Sequence, residues 1–588
     1  MKKRLVRLVA AVLALAVIFP PAHAAQTNSQ GSVTVRVGLA SSDSGSNTRA
    51  LIGANLWNVE NIGAGFRFGY FDAKMDFVEL ARTDKSMTQI SVIKAQNTWF
   101  QGKNRGSYSN TDNGGSVVGT YSLQLPGSYS SYQEARTAAD KAADGFVAWI
   151  NGDYQVRAGS YTTREKAEAA AKTVSGATVV STSKYGMNVI RNGYPEILFQ
   201  YDGGQGSKLA VMPDVTGAPD AQCWFYDLKY RGAFTYERIG GGELTVVNVL
   251  SLEDYIKGVV PYEMSPSWPL EALKAQALCA RTYTLTQMNR HESNGFDVCP
   301  SGHCQAYYGV GDDDRRGATA VTDRAVDETA GKVLWYKNRL AQTFYASSHG
   351  GASEDAKNVW GTNTSENGYP YLCGVSDPYE KYTDDINPRA HWTEHYTSAE
   401  LTEQLHKKGY GGSAALDHLV LTYSDLGNVI EAELHWDNGQ KNTLNLGKRV
   451  KSAFSLYSIR FTVNGKTAGQ NGGGKPAEDV YLNGSQKLET LNGMYVISDD
   501  GSIQPVGSSL HVITGDKNIL PIEQQSAGGS GNNKVEIKSD NYVFEGSGWG
   551  HQLGMSQYGA YGMAKQGFGC EKIVTFYFPG THVGPLSF

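Results

Sequence analysis

Apolar and polar positions alternate in Ser32-Val-Thr-Val-Arg-Val-Gly-Leu39, a period of two that predicts a strand. Short alternating runs, broken by Gly, Asn and Asp clusters, continue to about residue 118 and make residues 25–118 a β-rich N-terminal region. An internal repeat follows. Leu125-Pro-Gly-Ser-Tyr-Ser-Ser-Tyr-Gln-Glu-Ala135 matches Arg157-Ala-Gly-Ser-Tyr-Thr-Thr-Arg-Glu-Lys-Ala167 at an offset of 32. In each copy a strand reaches Gly-Ser-Tyr, a Ser or Thr offers an N-cap, an Ala-rich helix begins, and a second strand follows at Gly145–Ile150 or Ala177–Ser181. The order is βαβ twice over, which predicts two helices on one face of a sheet with the other face free.

Strands dominate again from Ser207 to Leu250. The period then changes. Leu270, Leu273, Ala277, Ala280 and Thr284 follow 3-4 spacing, with Ser267 as the expected N-cap and Pro269 in the first turn. Ala272, Ala275 and Leu278 make the opposite side apolar too, so this helix is expected to be buried on most sides. A Gly/Asn/Ser-rich stretch at about 464–532 reads as an insertion with flexible ends.

Composition narrows the class. With 40% hydrophobic residues and a net charge of −5, the chain is globular and a nucleic-acid partner is not expected. Lys2, Lys3, Arg4 and Arg7 precede the apolar run Leu8–Phe19 and the small-x-small site Ala22-His-Ala24, so residues 1–24 read as a signal peptide. That run falls short of the roughly 20 apolar residues a membrane-spanning helix needs. An exported, extracellular or wall-associated protein is expected, with the leader cleaved or kept as an anchor. Six cysteines in 588 residues are too few for a disulfide scaffold.

Candidate chemistry centres on Glu263, in the Pro/Ser-rich turn that feeds the buried helix and flanked by Tyr262, Met264 and Trp268. Apolar neighbours raise a carboxyl pKa as an acid catalyst requires, whereas a helix start lowers it. Lys274 and Arg281, seven residues apart, share a helix face and can pair with carboxylates or line a groove. Cys299, His303 and Cys304, with His291 upstream, offer soft ligands for zinc. A Cys299–Cys304 disulfide and free thiols are the other two readings. His349 and His551 lie in glycine-rich turns where their imidazoles can hydrogen-bond and orient neighbouring groups.

Two resemblances sharpen these readings. The repeat, with Tyr154-Gln-Val-Arg-Ala-Gly-Ser-Tyr161 and its echo, is similar to the SPOR family over residues 119–192, which implies binding to glycan strands of peptidoglycan stripped of stem peptides. Three ordered blocks within 205–588 resemble the stage II sporulation protein D (SpoIID)/LytB family. They are Leu252–Met264 with Leu270–Tyr283, Phe344–Gly351 with Val359-Trp-Gly361 and Tyr369-Pro-Tyr371, and the closing Gly-Trp-Gly-His551-Gln-Leu-Gly-Met-Ser-Gln557-Tyr-Gly-Ala. The resemblance implies a lytic transglycosylase acting on denuded glycan, with Glu263 as catalytic group; Lys274, Arg281, Tyr345, His349, His551 and Gln557 are the expected substrate contacts, His349 and His551 orienting sugar hydroxyls or Glu263. It also implies a zinc site that holds a loop.

One departure stands out: Gln552 occupies a position where the family usually has Gly. Two other readings stay open, a non-catalytic glycan-binding modifier of a wall amidase and a zinc hydrolase centred on Cys299, His303 and Cys304. The expected fold is α+β in several modules.

Overall fold

A computed structural model of the chain describes residues 27–42 (except 30), 48–60, 64–102, 106–214, 220–312, 317–467 and 533–587. It also places the backbone of three short hairpins between Val480 and Pro521. The proposed signal peptide lies outside the described residues, as does nearly all of the 464–532 insertion. The protein is a multi-domain α+β molecule rich in strands, and it divides into a unit of residues 21–333 with 584–588 and a unit of residues 334–583. That division falls inside the stretch 205–588 read from sequence as one region.

In the first unit a six-stranded sheet runs in the order Thr34–Ala40, Thr245–Ser251, Ala233–Glu237, Leu209–Pro213, Phe66–Phe71, Phe77–Arg82. Its first pair joins strands far apart in sequence, Val35 opposite Leu250 and Val37 opposite Asn248. The N-terminal region 25–118 therefore does not close on itself. The repeat supplies Tyr121–Gln124, helix α1 (Tyr132–Ala139), Gly145–Ile150, Asp153–Tyr161, helix α2 (Arg164–Ala171) and Thr178–Ser181. Ser131 and Thr163, the equivalent positions, cap the two helices by accepting from Glu134 N and Lys166 N. These four strands do not form a sheet of their own. Gly145–Ile150 pairs in parallel with Ile197–Asp202, and the sheet continues to ten strands, ending at Leu228–Tyr230.

The chain leaves strand Thr245–Ser251 directly into helix α3 (Leu252–Lys257), capped by Ser251, whose hydroxyl accepts from Asp254 N. Helix α4 (Val260–Glu263) and helix α5 (Leu270–Gln287) follow. Helix α5 is apolar on nearly every side, as its pattern predicts, and Ala272, Leu273, Ala275, Ala277, Leu278 and Ala280 are all fully buried. Its expected cap is not Ser267. Pro269 precedes the first turn, and its carbonyl accepts from Ala272 N and Leu273 N. Proline's fixed φ and missing N–H suit that boundary better than a serine two residues earlier.

The second unit has a core of Leu416, Leu419, Leu421, Ala432, Leu434, Val450, Phe454, Phe461 and Phe544 among others. It packs a four-stranded sheet and a three-stranded sheet against helices that include Ser398–Lys407 and Gly447–Phe454. Among the described residues no helix is long and apolar enough to cross a membrane.

Candidate functional site

Glu263 ends helix α4, so it lies on a short helix and not in the loop expected from its Pro/Ser-rich surroundings. Pro261 sits in that helix's first turn, where a missing N–H costs nothing. Met264 N closes the turn on Val260 O, and Met264 is fully buried, which anchors the chain just past the carboxylate. Glu263 itself is half-buried. Its Oε1 accepts from Ala306 N at 3.3 Å. Tyr262 and Tyr308 place their rings 4.8 Å apart, tilted by 50°, and Tyr308 is 44% exposed, giving an aromatic wall open to solvent.

The loop that carries Ala306 is pinned on three sides. Gln305, buried, donates to Thr284 Oγ1 (2.8 Å) and Tyr255 OH (3.3 Å), on helices α5 and α3. Upstream, Asp297 is buried and takes Arg36 Nη2 at 2.6 Å and Arg36 N at 2.8 Å, while Val298 bridges Val37. Phe296 reaches the sheet because residue 38 is glycine; a Cβ there would meet the Phe296 ring at 2.6 Å.

Between those anchors, His291, Cys299, His303 and Cys304 bring one ligand atom each within 4.8 Å of one another. His291 Nε2 lies 3.4 Å from Cys304 Sγ, and His303 Nδ1 lies 3.7 Å from Cys299 Sγ and 3.8 Å from Cys304 Sγ. A tetrahedral zinc with Zn–S of about 2.3 Å and Zn–N of about 2.0 Å separates its S and N ligands by roughly 3.6 Å, so the donors fit such an ion. Both sulfurs are free thiols, with no Cys299–Cys304 bond. The Cys299 thiol is pulled down to about 4, foremost by the hydrogen bond from Cys304, whose own pKa is pushed up by the same contact and by burial. A thiolate is the form that binds metal.

The two helix cations are both engaged with carboxylates. Arg281 is fully buried and forks onto Glu253 through Nε (2.9 Å) and Nη2 (2.6 Å), also donating to Lys332 O and Val326 O. It fastens α5 to α3 beneath the surface and lines no groove. Lys274 pairs with Glu271 at 2.8 Å and with Glu328. Burial disfavours its charge, but these two hydrogen bonds outweigh that and raise its pKa.

Tyr345, His349, His551 and Gln557 fall in the second unit. Tyr345–Ala346 pairs in parallel with Met555–Ser556, and Ser348 bridges Trp549 by reciprocal backbone hydrogen bonds of 3.1 and 2.9 Å. The two motifs, some 200 residues apart, therefore form one structure. Gln552 has φ +65°, the left-handed conformation in which glycine is unstrained, which explains the family's usual residue there. Its amide is buried and donates to His349 O and Ala352 O, a link no glycine can make. Glu380, which sequence reasoning missed, is buried and accepts from His349 N (2.6 Å), Gly351 N (3.0 Å) and Ser556 Oγ. Burial, then the nearby Asp377 charge, pushes it up to about 7. Asp377 accepts from Tyr577 OH at 2.6 Å. The clue lay in Ser-Asp-Pro-Tyr-Glu380, two acids in an otherwise aromatic and glycine-rich segment.

His349 is wholly buried, neither ring nitrogen has a hydrogen-bond partner among the described residues, and burial lowers its pKa to about 3. His551, half-buried against Trp360 (ring centroids 5.2 Å), has its Nδ1 accepting from Leu553 N at 3.1 Å. Gln557 is buried at the first turn of helix Gln557–Lys565.

Residues 240–336 match the family described as SpoIID, Stage II sporulation protein. The amidase enhancer of Bacillus subtilis (strain 168) is 32% identical over 331 residues, 55% of this chain and 40% of that protein. Stage II sporulation protein D of the same organism is 27% identical over 351 residues, covering 57% of this chain and 75% of that one. Stage II sporulation protein D of Bacillus amyloliquefaciens is 32% identical over 146 residues, 23% of this chain and 41% of its own length. The chain thus spans less than half of the amidase enhancer. Residues 240–336, the stretch that matches the SpoIID family, hold Glu263 and all four His/Cys donors.

Proposed function

We propose that the protein is an exported peptidoglycan lytic transglycosylase that cleaves denuded glycan between N-acetylmuramic acid and N-acetylglucosamine, leaving 1,6-anhydro ends. The observation that carries this reading is Glu263, half-buried at the end of a helix beside an open aromatic wall, its Oε1 held by one backbone N–H. A single carboxyl can protonate the leaving glycosidic oxygen and then, as carboxylate, take the proton of the sugar's 6-hydroxyl as that oxygen attacks the anomeric carbon. Tyr262 and Tyr308 offer the apolar surface against which a pyranose ring can lie and which excludes water. The names of the relatives, a sporulation protein and an enhancer of an amidase, agree with work on the cell wall.

Zinc held by His291, Cys299, His303 and Cys304 would be structural. A closed four-ligand site supplies folding energy and leaves no position for substrate. Two residues past Cys304, Ala306 N–H meets Glu263, so the protein's own loop holds the carboxylate in place. The βαβ repeat is proposed to bind stripped glycan in the manner of SPOR modules, raising local substrate concentration.

Incubation with denuded glycan strands followed by mass spectrometry is expected to show anhydromuramyl ends that disappear in Glu263→Gln. Unchanged product in that variant would refute the assignment. A second reading, favoured by the amidase enhancer relationship, is a non-catalytic stimulator of a wall amidase. Stimulation that survives Glu263→Gln, without cleavage by the protein alone, would select it.

A further inference from the structure

In the second unit a cavity of about 450 Å³ is walled by Trp360, His551, Leu456 and Ile459 and by three lysines, Lys408, Lys448 and Lys451. No carboxylate lines it. Lys448, Lys451, Ser452 and Ser455 stand at i, i+3, i+4 and i+7 of helix Gly447–Phe454 and its C-cap, so one helical stripe points cations and hydroxyls into a single space.

The placement of these charges is costly. The first turn of a helix carries a partial positive charge that favours Asp or Glu, yet this one holds Lys448 and Arg449 and no acid. Its N-cap, Leu446, contributes no side-chain hydrogen bond and has φ +82°, so nothing local offsets the cost. Lys408 closes the C-terminus of the neighbouring helix Ser398–Lys407. None of the three lysines forms an ion pair among the described residues. Lys451 is half-buried, and its ammonium donates to Gly550 O at 2.6 Å.

Beside the cations stands an aromatic floor. Trp360 is half-buried and is braced edge-on by Phe344 (4.8 Å) and by the tilted ring of His551 (5.2 Å). Burial lowers the His551 pKa to about 4, so near neutral pH the imidazole is uncharged and adds no positive charge. Indole surface, hydroxyls and an unneutralised cluster of ammonium groups suit a ring-shaped polyol bearing an anionic group.

We propose that this cavity is a binding site for an anionic saccharide, its ring on Trp360 and its carboxylate or phosphate on Lys408, Lys448 and Lys451. The inference builds on the proposed wall-glycan function, in which stripping the peptide frees the lactyl carboxylate of each muramic acid. Phosphate of a sugar- or glycerol-phosphate polymer shares that chemistry.

The test uses the full chain carrying Glu263→Gln, so that ligand is not consumed, and isothermal titration with three probes. These are a stripped glycan tetrasaccharide, the N-acetylglucosamine tetramer that lacks only the lactyl groups, and a glycerol phosphate oligomer. The stripped glycan is expected to bind at least about tenfold tighter than the N-acetylglucosamine tetramer, and Lys408→Gln/Lys448→Gln to remove that advantage and its salt dependence. Both lysines are exposed, so the double variant leaves the core intact. Tighter, lysine-dependent binding of the glycerol phosphate oligomer alone would assign the site to phosphate. Equal binding of the two tetrasaccharides together with no binding of the phosphate oligomer, or affinity untouched by the double variant, would overturn the inference. The readout is independent of cleavage, so a parent protein that forms no anhydromuramyl ends, with lysine-dependent binding intact, would remove the transglycosylase reading and leave this one standing.

Discussion

The surroundings of Glu263 and of His349 treat buried charge in opposite ways. Around Glu263 two deeply buried ions are each paired with the opposite sign: Arg281 with Glu253, Asp297 with Arg36. Around His349, an imidazole with no hydrogen-bond partner among the described residues, burial raises the pKa of two carboxyls, Asp377 and Glu380, and the Asp377 charge raises that of Glu380 further. The first arrangement ties helices and strands together through paired charges. The second makes a region whose stability is tied to protonation, because the cheapest relief for an unpaired buried ion is to neutralise it.

The largest expected effect comes from unpairing the scaffold. Glu253→Ala leaves the Arg281 guanidinium buried without its carboxylate, and urea denaturation is expected to show a loss of about 3–5 kcal/mol. If the loss is under about 1 kcal/mol, the contrast between the two regions fails. Next is Gln552→Ala, which keeps the left-handed strain and removes both amide hydrogen bonds, for a loss of about 1–3 kcal/mol. Gln552→Gly relieves the strain and is expected to recover part of that loss, about 1 kcal/mol.

A pH series sharpens the comparison further. A carboxyl whose native pKa is near 7, against an ordinary 4.5, binds more protons when folded. Its contribution is complete below about pH 4.5 and is lost as pH rises through 7. His349 acts in the other direction, holding its neutral form above pH 6.5 and costing stability as pH falls toward 3. The stability of the parent minus that of Glu380→Gln is therefore expected to fall between pH 4.5 and 7, by at most about 1.4 kcal/mol per pH unit. A flat difference would mean Glu380 titrates normally. Smallest is Lys274→Met, which severs partly exposed pairs with Glu271 and Glu328 and is expected to cost about 1 kcal/mol or less.

Helix α5 was readable because its apolar positions are dense and its length is long enough for periodicity to speak. Helices α3 and α4, of six and four residues, were not, since two turns or fewer carry no period and Pro261 reads as a breaker. The capping pair Ser131 and Thr163 was legible through the repeat; the extension of its strands into a ten-stranded sheet was not, because partners such as Ile197–Asp202 lie outside it. Glu263 stood out locally. Ala306 as its hydrogen-bond donor did not, as a backbone N–H has no sequence signature.

Residue types and spacing were enough to mark the candidate groups: a lone Glu before a buried helix, two thiols and two imidazoles within fourteen positions, and histidines among glycines. These follow from side-chain chemistry, which each residue carries wherever it goes. Tertiary structure alone decided which of them meet. It sent Arg281 inward to Glu253, set Cys299 and Cys304 apart as thiols beside His291 and His303, and turned Gln552 from a departure into a link. Burial and partner are properties of the packed chain, and they determine which charge survives and which hydrogen bond is made.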